Sequence, residues 1–139
     1  MPRRSRAREV ALQVLYQDDL NPSHSMSASD DFLRSRLNHN KELAEFGQSL
    51  VSGTRRNRPE LDILLVSQAD NWSLQRMAAT DRNILRMAAF EILYSETPGR
   101  VAINEAVELA KRFGSKNSAQ FVNGILDGVL KLRDQESDA

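Results

Sequence analysis

Apolar residues recur every three or four positions along almost the whole chain, and this spacing constrains the fold more than any other feature. Near the amino terminus it marks one helix face, formed by Ala7, Val10, Ala11, Val14 and Leu15. A second stripe with the same spacing covers residues 43–54. No segment shows the apolar–polar alternation of a half-buried strand. The sequence therefore predicts an all-α fold.

Loop-forming residues divide this pattern into about seven predicted helices. They cover approximately residues 5–17, 31–38, 43–54, 60–69, 80–94, 103–113 and 118–132. The longest break, 18–30, contains Asn21-Pro22 and several serines, and we expect a mobile insertion there. Shorter breaks lie at 71–73 and 97–99, and the tail 134–139 is expected to fray. The break at 71–73 would divide one domain of 139 residues into sub-bundles of about 5–70 and 73–133, and the break at 97–99 is the alternative division.

Four sequence details refine this prediction. Residues 80–94 are apolar nearly all round, which is typical of the central helix of a bundle. Asn123-Gly124 is a common hairpin turn, but it lies within the stripe of the last helix, so we expect it to be helical. Gly124 and Gly128 are four residues apart and predict that another backbone approaches that face closely. Asn40 and Ser118 are placed to cap the helices that follow them.

Composition excludes several kinds of site. The chain has no cysteine, so it has neither a disulfide nor a thiolate ligand. Its two histidines, His24 and His39, have no partner at metal-ligand spacing. No apolar run approaches the length of about 18 residues that a membrane span needs, and no secretory signal follows the basic start. We expect a soluble cytoplasmic protein without a metal or cofactor.

Motifs of catalysis are missing as well. The sequence contains no glycine-rich phosphate loop, no HExxH and no GxSxG. Glu105 and Glu108 share a helix face, but Lys111 and Arg112 follow at the spacing of surface ion pairs. We therefore expect a binding protein and not an enzyme.

The net charge of the chain is zero, yet its charge is unevenly distributed. Residues 1–17 carry a net charge of +3, whereas 18–33 carry −4. The basic amino terminus contains Arg3, Arg4, Arg6 and Arg8, and guanidinium groups can bind phosphates bidentately. This segment is either a solvated terminus or an arm that binds nucleic acid.

A second candidate site covers residues 111–123, between the last two predicted helices. It combines the cations Lys111, Arg112 and Lys116 with small polar residues and Phe121. Phosphates can be bound by such cations and by free N–H groups at a helix start, and an unstacked base can lie on an aromatic ring. The alternative is an ordinary helix–loop–helix corner with Phe121 in the core.

Tyr16 points nearly opposite the apolar stripe of the first helix, with Leu12 beside it. A helix with apolar residues on its back either lies between neighbouring helices or offers an aromatic side chain to a partner. The sequence leaves both interpretations open.

Several segments together resemble the bacterial transcription antitermination factor family NusB. They are Arg6-Ala7-Arg8-Glu9, the run from Leu12 to Tyr16, the block 81–86, and above all the pair INEAVELAK and FVNGILD at 103–111 and 121–127. The resemblance extends from residue 3 to about 132 and is weakest over 18–60. It implies an all-helical fold of two three-helix bundles without enzymatic activity.

The resemblance also implies partners and site residues. NusB-like proteins pair with the ribosomal protein NusE, bind boxA RNA of ribosomal transcripts, and suppress premature termination in a complex of RNA polymerase with other Nus factors. On this chain the implied RNA-binding residues are Arg3, Arg4, Arg6, Arg8, Lys111, Arg112, Ser115, Lys116, Asn117, Gln120 and Phe121. The implied protein-partner residues are Leu12, Tyr16 and Asp81. At Lys116-Asn117 relatives often carry acidic residues, so this chain should bind RNA more tightly.

One other function remains open at this point. The chain could be a protein–protein adaptor or a homodimer in ribosome biogenesis, using the surface around Leu12 and Tyr16, with RNA binding secondary. In that case dimerisation could mask the RNA-binding face.

Overall fold

The computed structural model describes residues 2–22, 28–69 and 73–138, and the side chains of all of these except 2, 3, 137 and 138. Within these ranges it contains seven α-helices, one short 3-10 turn and no strand. The helices are α1 Pro2–Leu20, α2 Ala28–Arg36, α3 Lys41–Arg56, α4 Arg58–Gln68, α5 Ala79–Tyr94, α6 Gly99–Phe113 and α7 Ser118–Asp138. The predicted all-α class and the predicted number of helices are confirmed. Among the described residues, no helix is long and apolar enough to cross a membrane.

The first compact unit, Met1–Arg56, contains α1, α2 and α3. The predicted stripe of α1 is buried at Ala7, Val10 and Ala11, and α1 packs against α3, whose Leu50 and Val51 are buried. Asn40 caps α3 as predicted, because its Oδ1 accepts a hydrogen bond of 3.0 Å from the Leu43 N–H.

The ends of the predicted insertion 18–30 are helical in the structure. α1 continues to Leu20, and α2 already begins at Ala28. Asp18 accepts two hydrogen bonds from the Arg55 guanidinium, at 2.7 and 2.8 Å, which join α1 to the last turn of α3. This ion pair explains why α1 extends beyond the predicted end at residue 17. Residues 23–27 of the predicted insertion lie outside the described residues.

The second compact unit, Asn57–Ala139, contains four α-helices and not the three that the sequence predicted. The additional helix is α4, which the sequence placed in the first bundle. Its Leu61 and Leu65 are buried, and it packs against α5 and α7. The division therefore lies at Arg56 and Asn57, before α4, whereas the predicted division at about 70–73 lies after it. Residues 70–72 of that predicted break are outside the described residues.

Helix α5 is the core of the second unit. Ile84, Leu85, Met87, Ala89 and Ile92 are all buried, and α5 packs against α4, α6 and α7. This agrees with the prediction of a central helix.

A buried arginine of α5 is paired with a carboxylate of α4. Arg86 donates to Asp62 at 2.7 and 3.0 Å, in the two-pronged geometry that a guanidinium and a carboxylate prefer. Arg86 is only 4% exposed, so Asp62 neutralises a charge that has almost no access to water.

Helix α7 is longer than the sequence predicted. It runs through Asn123-Gly124, as expected, and its helical conformation continues to Asp138, within the tail 134–139 for which fraying is expected. Arg133 donates a hydrogen bond of 3.1 Å to the Ile92 carbonyl and pairs with Asp134 at 2.9 Å. The bond to the Ile92 carbonyl attaches this part of α7 to the end of α5.

Replacing Asp62 by Ala should destabilise the protein by about 2 kcal/mol, because the buried Arg86 guanidinium then loses its two-pronged bond to a carboxylate. Urea unfolding followed by circular dichroism measures this change. The matched control is Glu108→Ala, which breaks an exposed pair with Lys111 and should cost less than about 0.5 kcal/mol. Equal effects of the two substitutions would show that the buried pair has no special role.

Candidate nucleic-acid interface

The basic start of α1 is organised around one aromatic ring. The guanidinium carbon of Arg4 lies 4.4 Å from the centre of the Phe46 ring, and that of Arg8 lies 5.1 Å from it. Such stacking orients a guanidinium without neutralising it. Arg6 forms an ion pair of 3.0 Å with Glu9.

The four predicted arginines are not equivalent. Arg4 and Arg6 are exposed, but Arg8 is 3% exposed and lies within the first unit. A guanidinium buried to this extent cannot reach a phosphate at the surface, so Arg8 supports Phe46 instead of presenting its charge. A role of Arg8 in RNA binding stays a prediction. The side chain of Arg3 lies outside the described residues.

The corner between α6 and α7 presents the second group of cations. Lys111, Arg112 and Lys116 are all exposed. Lys111 pairs with Glu108 at 3.4 Å, and the Arg112 guanidinium lies 5.1 Å from the centre of the Phe113 ring. The polar side chains of Ser115, Asn117 and Gln120 are exposed, and Phe121 is half-buried. The segment therefore combines cations, hydrogen-bonding groups and aromatic rings, as the sequence predicted.

Phe113 lies within the candidate segment 111–123 but is not one of the implied RNA-binding residues. In the structure it is 43% exposed. The available signal was Gly114, which ends α6 directly after Phe113 and leaves that ring at the rim of the unit.

A hydrogen-bond network fixes the backbone of this corner. The Ser118 Oγ accepts a hydrogen bond of 2.9 Å from the Ser115 N–H and donates one of 3.1 Å to Asp81 Oδ2. The Ser118 side chain therefore hydrogen-bonds to the preceding loop and to α5. A conventional N-cap would instead accept a hydrogen bond from an N–H group in the first turn of α7. The network joins the corner to the first turn of α5.

Asp81 has a different environment from the one the resemblance implied. It is 8% exposed, and its Oδ1 accepts no hydrogen bond from the described residues. Asp81 is buried and accepts a hydrogen bond from Ser118, so it helps to hold the corner in place. Little of its side chain is accessible to a protein partner.

The other two predicted partner residues differ in exposure. Leu12 is 5% exposed and belongs to the core, whereas Tyr16 is half-buried and keeps part of its ring accessible. Of the three, Tyr16 therefore offers the most accessible side chain to a partner.

A comparison of the whole sequence with known proteins identifies the family. The sequence model described as the NusB family matches residues 5–131. The chain belongs to the NusB family. The transcription antitermination protein NusB of Anaeromyxobacter dehalogenans is 44% identical over 127 residues, which are 91% of this chain and 89% of that protein.

Solved structures of this family share the fold. NusB of T. maritima has a TM-score of 0.84 and 32% identity, with 98% of this chain and 97% of that chain covered. NusB in a crystal structure of antitermination factors NusB and NusE in complex with dsRNA has a TM-score of 0.78 and 28% identity, with 95% and 98% covered.

Replacing Ser118 by Ala should destabilise the protein by about 2 kcal/mol, because it leaves both the Ser115 N–H and the buried Asp81 carboxylate without a partner. Chemical unfolding measures the loss. Ser67→Ala is the control, since the exposed Ser67 hydroxyl bonds only within its own helix, donating to the Leu64 carbonyl and accepting from Gln68 Nε2. Its effect should stay within about 0.5 kcal/mol. If Ser118→Ala is equally mild, the network does not hold the corner.

Proposed function

We propose that this chain is a cytoplasmic transcription antitermination factor that binds boxA-type single-stranded RNA with the ribosomal protein NusE and suppresses premature termination. It acts by binding and catalyses no reaction. Membership of the NusB family supports this function, and so does the crystal structure of a relative with NusE and dsRNA. In the cell its partners are RNA polymerase and other Nus factors.

The observation that carries the proposal is the corner between α6 and α7. Three exposed cations lie beside two aromatic rings on a backbone that Ser118 holds in place. Cations bind phosphates, exposed rings stack on unpaired bases, and amides such as Gln120 hydrogen-bond to base edges. Double-stranded RNA would leave the rings unused, because its bases are already stacked.

The exposed cations of the two units allow a quantitative expectation. They are Arg4, Arg6, Lys111, Arg112 and Lys116. If binding neutralises about five phosphates, the logarithm of the binding constant should fall with the logarithm of salt concentration at a slope of roughly −3 to −4. Fluorescence anisotropy with a boxA oligomer between about 50 and 300 mM salt measures the slope.

Single lysine substitutions test which exposed cations contact phosphates. Lys116→Ala should reduce the magnitude of the slope by about 0.7 without destabilising the protein. Lys41→Ala is the matched control, an exposed cation at the start of α3 that should leave the slope unchanged. A slope near zero for the unmodified chain, or equal affinity for a scrambled oligomer, would contradict the proposed function.

We also propose that Tyr16 contributes to the surface that binds NusE, because its ring is partly accessible on a helix whose apolar stripe is already buried. A homodimer that uses the same surface is the second candidate. The two differ in whether the chain associates with itself when NusE is absent.

Tyr16→Asp should weaken NusE binding at least tenfold, since a carboxylate replaces an aromatic contact, which is often a dominant residue of an interface. Isothermal titration calorimetry measures the affinity, and circular dichroism checks the fold. Gln13→Asp introduces the same charge at an exposed position of α1 and should have little effect. Loss of helicity in Tyr16→Asp would show that Tyr16 is a packing residue, and conversion of a dimer to a monomer would assign this surface to a second copy.

A further inference from the structure

Most glycines of the second unit are explained by close packing inside the protein. A Cβ added to Gly99 would lie 2.5 Å from Leu130 Cδ1, and one added to Gly114 would lie 2.5 Å from the Ser118 side chain. At Gly128 it would lie 2.3 Å from Gln68 Oε1. These distances are too short for real contacts, so a larger residue at any of the three positions would require neighbouring atoms to shift.

Gly124 is the exception. A Cβ added there would meet nothing within 4 Å, and the residue is exposed in the interior of α7. The expectation that Gly124 and Gly128 admit the same backbone is therefore wrong: Gly128 accommodates a side chain of α4, and Gly124 faces open space. Glycine is the poorest helix former after proline, so at Gly124 it weakens α7 without any gain in internal packing.

The surroundings of Gly124 form a continuous polar face. Successive positions three and four residues apart along α7 are Asn117, Gln120, Gly124, Asp127 and Lys131. Four of the five are exposed, and Asp127 is partly so. This polar face, defined by these five residues, begins within the corner that carries the candidate RNA-binding cations.

The acidic member of the polar face is neutralised. Asp127 pairs with Arg100 at 2.9 Å and with Lys131 at 3.1 Å. The hydrogen bond from Lys131, and that from Arg100, hold the pKa of Asp127 below its usual value, which keeps the carboxylate charged and paired. With two cations around one anion, this end of the polar face is attractive to phosphate.

We propose that single-stranded RNA continues from the corner along the polar face of α7, and that its ribose–phosphate backbone crosses the helix at Gly124. The inference rests on the proposed function. A missing side chain lets a bulky strand approach the helix closely, and Gln120 lies one turn before the crossing, where its amide can donate to a phosphate or a base. The polar character of the face and its cations favour RNA over an apolar protein surface.

Gly124→Ala and Gly124→Gln test the inference with the full chain and a labelled boxA-type RNA. Because the site is open inside the protein, both variants should remain folded, and the Ala variant should melt about 4 °C higher. The affinity for RNA should fall about tenfold with Ala and further with Gln, as added atoms hold the strand away from α7. Higher stability combined with weaker binding cannot result from damage to the fold.

Ser67→Gln is the matched control, because it enlarges an exposed helical residue of the same unit at α4. It should leave RNA affinity unchanged. Binding by the unmodified chain together with unchanged affinity of Gly124→Gln would overturn the inference and leave the proposed function intact, whereas no binding by the unmodified chain would refute the proposed function itself. Retained RNA affinity with lost NusE binding would assign the polar face to the protein partner.

Discussion

The hydrogen bond between Ser118 and Asp81 is the interaction on which the candidate site depends. It joins the start of α7 to the first turn of α5, the helix around which the second unit is packed. The same hydroxyl accepts a hydrogen bond from the Ser115 N–H, so one side chain fixes the path of the loop that carries the cations. Because the network is buried, water competes for it poorly, and the exposed residues around it are displayed on a fixed backbone.

Both cationic segments use the same physical device, an arginine placed over an aromatic ring. Arg4 lies over Phe46 in the first unit, and Arg112 lies over Phe113 in the second. A ring in this position restricts the orientation of the guanidinium, which lowers the entropy lost when a phosphate binds. In the ion pairs of Arg55 and Arg86, a carboxylate occupies the N–H groups of the guanidinium. These two arginines therefore stabilise the fold.

The sequence predicted the class, the number of helices and the corner, because apolar periodicity and local motifs are recorded along the chain. It could not predict properties that depend on distant residues. The burial of Arg8 depends on Phe46, the burial of Asp81 on Ser118, and the position of α4 on the pairing of Asp62 with Arg86. The sequence did not predict the exposure of Phe113 for a related reason. An apolar stripe shows which face of a helix is apolar, but not where the neighbouring helix ends.

A net charge of zero is compatible with a nucleic-acid partner because binding depends on the local field, which decays within about 10 Å at moderate salt. In this chain several carboxylates are already committed to arginines or lysines, as Asp18, Asp62 and Asp127 show. Their charge therefore contributes little at a distance, and the cations at the corner act over a locally positive surface. The same neutrality restrains binding to RNA in general, because the protein as a whole gains nothing from approaching a polyanion. Selectivity must then come from short-range contacts, which is where the rings of Phe113 and Phe121 and the open backbone at Gly124 can act.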